Sequence, residues 1–120
     1  MDRKPRVLIV EDDAAVRVTL TDVIETLGYD IIAVADAKGA FSALELHAVD
    51  LIVLDIVMKG IDGLSAYRAI RRMGVNAPVV VYTAMPRSPA ARELIRAGVS
   101  AVIAKPASVG ELKRALSEAL

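Results

Sequence analysis

The chain has 120 residues, 55% apolar and 25% charged, with 15 basic and 15 acidic side chains. That length and balance suit one globular domain with a core of its own and exclude a disordered segment. Zero net charge leaves no overall field to draw in nucleic acid, the lack of cysteine removes disulfide and thiolate chemistry, and no apolar run is long enough to cross a membrane.

The first apolar run, RVLIV at 6–10, is rich in valine and reads as a strand covered on both faces. Glu11, Asp12 and Asp13 follow at once, so the run is too short for a signal peptide. Asp13 reads as a helix N-cap, and Asp12 could serve the same end. Val16, Leu20, Val23, Ile24 and Leu27 then recur at helical spacing, and Gly28 ends the helix. DIIAV (30–34) reads as a second strand, ending on Ala35 and Asp36 without evident chemistry. Phe41, Leu44 and Ala48 mark a second helical stripe. His47 sits late in it with no other ligand type nearby, and reads as an ordinary surface or half-buried position.

DLIVL (50–54) reads as a third strand and stops on a charge, Asp55. The loop IVMKGIDG follows, in which Gly60, Asp62 and Gly63 read as turn or cap residues. Leu64, Tyr67, Ile70 and Arg71 form the third helical stripe, closed by Gly74. PVVVY (78–82) is the fourth strand, with Thr83 after it. Ser88–Pro89 opens a helix carrying Ala91, Leu94 and Ile95 and ending at Gly98. AVIA (101–104) is the fifth strand, followed by Lys105 and Pro106. Ser108 and Glu111 form a capping box for a last helix with Leu112, Ala115, Leu116 and Ala119 inward. Five strand–helix alternations predict a parallel sheet with helices on both faces. A single domain over residues 1–120 is expected, with no further domain beyond the last helix.

In an open parallel sheet, chemistry collects at the carboxyl ends of the strands. Glu11, Asp12, Asp55, Thr83 and Lys105 should therefore converge on one edge. Carboxylates crowded together repel, and a hard divalent cation such as Mg²⁺ relieves that repulsion while leaving positions open for phosphate oxygens. Lys105 supplies a point charge and Thr83 a hydroxyl donor for such oxygens. An aspartate beside these groups is placed as a nucleophile toward a phosphoryl donor, and Asp55 is the expected acceptor. Thr83 as an ordinary strand-end residue and Lys105 as a solvent-seeking side chain are the plain alternatives.

With VEDD (10–13), LDIVMKGIDG (54–63), YTA (82–84) and AKP (104–106) in this order, the chain resembles the receiver domain of two-component response regulators from about Arg6 to Ala119. The resemblance implies a flavodoxin-like (βα)5 doubly wound sheet of strand order 2-1-3-4-5. It implies phosphorylation of Asp55, and Mg²⁺ held by Glu11 (mainly through water), Asp12, Asp55 and the backbone carbonyl of Val57. Thr83 and Lys105 would bind the phosphoryl oxygens, with a cis Lys105–Pro106 bond aiming the lysine inward. The implied partners are a histidine kinase or histidine phosphotransfer protein and a downstream protein or output domain. The responding surface would lie on helix 4, strand 5 and helix 5, where Arg87, Arg92, Arg96, Lys113 and Arg114 fall, and a homodimer through helices 4 or 5 is compatible with it. No direct nucleic-acid or membrane contact, a cytoplasmic location, and no enzyme activity beyond its own phosphorylation and dephosphorylation are expected. Whether the receiver stands alone or belongs to a larger regulator or hybrid kinase stays open.

The chain departs from the family pattern at Val102, where most members carry Tyr or Phe, and at Lys59, where many carry proline. The usual threonine–aromatic switch therefore lacks its ring at that position. Val57 and Met85 occupy the two positions that tune lifetime in this family, and neither can orient water, so slow hydrolysis of the acyl phosphate is expected. A receiver-like binding module that is never phosphorylated is the first rival reading. A phosphatase or flavin protein is the second, against which no D-x-D-x-T follows strand 1 and no Ser/Thr/Gly-rich phosphate cradle exists.

Overall fold

A computed structural model describes residues 3–120. The elements run β1 (Arg6–Val10), α1 (Ala14–Thr26), β2 (Asp30–Val34), α2 (Ala37–Leu46), β3 (Leu51–Leu54), α3 (Gly63–Arg72), β4 (Val79–Thr83), α4 (Pro89–Ala97), β5 (Ala101–Ala104) and α5 (Val109–Ala119). The strands form one parallel sheet in the order β2-β1-β3-β4-β5, which is the flavodoxin-like topology.

Side chains alternate across a strand, so each buried strand feeds two cores. Leu8, Val10, Ile52, Leu54, Val79 and Val81 face α2, α3 and α4. Val7, Ile9, Leu51, Val53, Val80 and Tyr82 face α1 and α5. This double burial is why the central strands carry no polar face. The two edge strands are less covered: Asp30 and Ala33 in β2 and Ala104 in β5 are exposed. They have a neighbour on only one side.

The helices start where capping chemistry permits. Asp13, Asp36, Asp62 and Ser88 each accept from a backbone N–H three residues on, and Ser108 with Glu111 completes the capping box. Gly98 closes α4 in the left-handed region at φ 103°.

Four expectations need correction. In α2 Phe41 and Leu44 pack half-buried against the core as expected, but the fully buried stripe beside them is Ala37, Ala40 and Ala43. Ala48 lies past the helix end and is exposed. Small residues let α2 approach the sheet closely, and alanine gives little hydropathic signal for that. Ile95 does not face the core: it is 56% exposed on α4, whose buried residues are Ala91 and Leu94. Thr83 is the last residue of β4 rather than the first beyond it. Gly63 is no turn residue. It is the buried first residue of α3, and its N–H donates to the Ile56 carbonyl at 2.8 Å.

Candidate functional site

Because all five strands are parallel, their carboxyl ends share one edge of the sheet. The chain leaves β1 for β2 on one side and returns to β3 on the other, which opens a crevice between β1 and β3 at that edge. Glu11 and Asp55 sit there. The ladder also continues one residue past the strands: Glu11 N–H donates to Val34 O at 3.1 Å, Asp55 N–H to Val10 O at 3.1 Å, and Lys105 N–H to Thr83 O at 2.8 Å. The backbones that carry the site are thus pinned by the sheet itself.

Glu11, Asp55 and Thr83 are the buried polar residues of the protein among those described. Lys105 reaches between the two carboxylates, with Nζ 2.5 Å from Glu11 Oε1 and 2.9 Å from Asp55 Oδ2. Asp12 is half-buried beside them. One carboxylate oxygen from each of Glu11, Asp12 and Asp55 lies within 4.8 Å of the others. This all-oxygen donor set suits a hard cation such as Mg²⁺ and lacks the sulfur or imidazole that softer metals favour.

Burial pushes the Glu11 carboxyl above its ordinary value, and its hydrogen bonds to Lys105 and the Asp13 N–H only partly offset this. Burial also opposes the charge on Lys105, but hydrogen bonds to Glu11 and Asp55 outweigh it and raise the ammonium pKa. The lysine therefore stays a cation, held between two acids.

The surrounding contacts set the shape of the cleft. Asp12 Oδ2 accepts from the Lys59 N–H at 3.2 Å, which ties the loop after β3 to the loop after β1. The Val57 N–H points at Asp55 Oδ1 at 3.4 Å. Thr83 Oγ1 accepts from the Met85 N–H at 3.0 Å. Arg17 donates to the Glu11 carbonyl at 2.8 Å and reaches the Asp12 carbonyl at 3.4 Å. Val57 and Met85 flank the cleft as apolar residues, 60% and 56% exposed. The Lys105–Pro106 bond is cis.

The structure therefore brings together Glu11, Asp12, Asp55 and Lys105, with Thr83 at the end of the neighbouring strand. Three contributors escaped the sequence. Lys59 acts through its backbone, which no side-chain pattern reveals. Arg17 lies on an exposed-looking turn of α1, and only the path of the β1–α1 loop shows why it matters. Gly63 matters by lacking a side chain: a Cβ there would stand 2.3 Å from Asp55 O and 2.6 Å from Ile56 Cα. Asp13 is the helix cap it was expected to be.

Comparison with known proteins agrees with this geometry. The sequence model of the response regulator receiver domain matches residues 7–117. The transcriptional regulatory protein PdtaR of Mycobacterium tuberculosis (strain H37Rv) is 35% identical over 116 residues, covering 96% of this chain and 56% of that protein. The chain thus spans about half the length of that relative. The chemotaxis protein CheY of Bacillus subtilis is 30% identical, with 96% of this chain and 97% of that one covered. Among solved structures, the receiver domain of sensor histidine kinase PA1611 from Pseudomonas aeruginosa, with a magnesium ion coordinated in its active site cleft, superposes with a TM-score of 0.86. It is 30% identical, and 96% of each chain is covered. With its acidic crevice at the β1/β3 switch point, the chain belongs to the response regulator receiver domain family.

Proposed function

We propose that this chain is a phosphoacceptor. Asp55 takes a phosphoryl group from a phosphohistidine on a histidine kinase or histidine phosphotransfer protein. An Asp55 carboxylate oxygen attacks phosphorus, the P–N bond to imidazole breaks, its electron pair stays on the leaving nitrogen, and an acyl phosphate forms. The observation that carries this reading is Lys105 bridging Glu11 and Asp55 inside a three-carboxylate cluster. A buried acid–lysine–acid arrangement is costly as architecture alone and is suited to an incoming anion.

Glu11, Asp12, Asp55 and the Val57 carbonyl would hold Mg²⁺. When bound, the ion offsets charge on the phosphoryl oxygens and on the carboxylates. The chain's own groups do the rest. Lys105 can exchange one of its carboxylate partners for a phosphoryl oxygen, and Thr83 can release the Met85 N–H and turn its hydroxyl to another. The side chains of Val57 and Met85 carry no hydrogen-bonding group to orient water, which supports a long-lived acyl phosphate.

The output is a changed protein-binding surface on α4, β5 and α5 for a downstream protein or output domain, or for a second copy. Ile95, exposed beside Arg92 and Arg96, supports that reading. Residues 1–120 act as one receiver domain, with no direct contact to nucleic acid or membrane, and a histidine kinase as donor puts the reaction in the cytoplasm. Intact mass after incubation with Mg²⁺ and a small acyl phosphate tests the reading, with Asp55→Asn alongside. One added phosphoryl group on the parent and none on the variant is expected. No adduct on a folded parent that binds Mg²⁺ refutes it and favours a binding module that is never phosphorylated.

A further inference from the structure

Position 102 carries valine, and the aromatic ring that lies against Lys105 comes from Tyr82 instead. The two positions lie on opposite faces of the sheet. Val102 packs with the core under α3 and α4, while Tyr82 belongs to the core under α1 and α5.

Tyr82 makes two contacts with one short segment. Its ring centroid is 5.5 Å from Lys105 Nζ. Its hydroxyl accepts from the Ala107 N–H at 3.2 Å. Ala107 stands two residues after Lys105 and directly before Ser108, the N-cap of α5. One nearly buried side chain therefore touches the lysine at its tip and the backbone at its base, while the Lys105 N–H is held by Thr83 O.

A lysine stem has many rotamers, and its ammonium must sit at one point to meet a phosphoryl oxygen. The carboxylates cannot be the whole restraint, because the ammonium must loosen its hold on them as the anion arrives. The ring face is a restraint that remains, since it attracts a cation without taking up a carboxylate. We infer that Tyr82 is a positioning residue for Lys105: its ring holds the ammonium at the Asp55 edge and its hydroxyl fixes the segment that bears the lysine. This rests on the phosphoacceptor reading of the site.

The test compares the whole chain with Tyr82→Phe and Tyr82→Leu. In protein carrying ¹³C-labelled lysine and no phosphodonor, the Lys105 ε-methylene proton resonance reports how close the ring lies; Lys105→Arg assigns it. Tyr82→Leu should move that resonance downfield, and Tyr82→Phe should leave it in place. Phosphorylation with Mg²⁺ and acetyl phosphate, followed by intact mass, should slow about tenfold in Tyr82→Leu. It should slow less in Tyr82→Phe, whose Ala107 amide should exchange faster with solvent. A Tyr82→Leu protein with an unmoved Lys105 resonance overturns the inference, since any slowing would then be a general structural effect, and so does one with a moved resonance and the parental rate, since the ring would then touch the lysine without placing it. If Tyr82→Leu does not fold, Tyr82→Phe decides: parental Ala107 exchange and a parental rate overturn it. A parent that takes up no phosphoryl group refutes the acceptor reading instead, and the Lys105 resonance then still decides whether the ring lies against the lysine.

Discussion

Gly63→Ala is predicted to destabilise the protein although it replaces glycine within a helix. Two effects of opposite sign compete. Helix propensity favours alanine over glycine by about 0.8–1 kcal/mol, less at the first turn. Against this, a Cβ at position 63 would sit 2.3 Å from Asp55 O and 2.6 Å from Ile56 Cα, where 3.4 Å begins ordinary contact. Both partners are backbone atoms of the turn that carries Asp55, so no side chain can swing away. Relief needs a shift of roughly 1 Å in α3 or in that turn, at a cost of about 1–3 kcal/mol typical of overpacking. The net expectation is a loss of about 1–2 kcal/mol, with the urea midpoint falling by about 1 M at unchanged slope. Gly110→Ala in α5 is the control. Its Cβ would meet only Ser108 Oγ, at 3.9 Å, so propensity should win and the midpoint should rise. Urea unfolding of the three proteins, without Mg²⁺, decides the matter. A Gly63→Ala protein as stable as Gly110→Ala would refute the close-approach argument. Because the displaced atoms belong to Asp55 and Ile56, Gly63→Ala should also take up the phosphoryl group more slowly, which the same mass assay reads.

Lys105→Met should cost about 3 kcal/mol without Mg²⁺, because it leaves Glu11 and Asp55 buried side by side without their cation; added Mg²⁺ should recover part of this, and a variant as stable as the parent in urea counts against the bridge. The raised Lys105 pKa makes its stabilisation complete below the ordinary value of 10.5 and lost as pH rises through the folded value, so parent stability should fall more steeply above pH 10 than that of Lys105→Met. For Glu11 the folded value lies above the ordinary 4.5, so protonation favours the fold and this contribution fades as pH climbs from 4.5 through the folded value; Glu11→Gln should flatten that limb of the urea profile. Arg17→Ala should weaken Mg²⁺ binding several-fold by calorimetry while changing stability by only about 1 kcal/mol, since it frees the Glu11 and Asp12 carbonyls rather than the core; unchanged affinity would mean the loop is held without it. The acyl phosphate of the parent should persist for minutes or longer and Val57→Asn should shorten its life; loss within seconds from the parent would contradict the role given to Val57 and Met85.

Much of the architecture was legible because it repeats local rules. Runs such as LIVL, short, rich in β-branched residues and apolar at every position between turn signals, read as strands covered twice, and Asp13, Ser88 and Ser108 are caps by the chemistry of their own side chains. Asp55 stood out as a candidate site residue because a charge at the end of a doubly buried strand caps no helix and has no evident structural task. The errors have causes too. Ile95 fits the α4 stripe by spacing, but α4 buries only the narrow face that carries Ala91 and Leu94, and a helical period cannot show how wide the covered face will be. The inward alanines of α2 carry too little hydropathy to outweigh Phe41 and Leu44 in a reading of pattern.

What the amino-acid order determined alone is the set of elements, their caps and the residue types delivered to the carboxyl edge, because each depends on neighbours a few residues away. The tertiary structure decided which of these groups touch. Lys105 meets Glu11 and Asp55 across 94 and 50 residues of chain. Tyr82 lies against Lys105, the Lys59 N–H reaches Asp12, and Gly63 presses on Asp55. These contacts depend on strand order and register, which are set by how the two cores close around the sheet, and no local spacing encodes them.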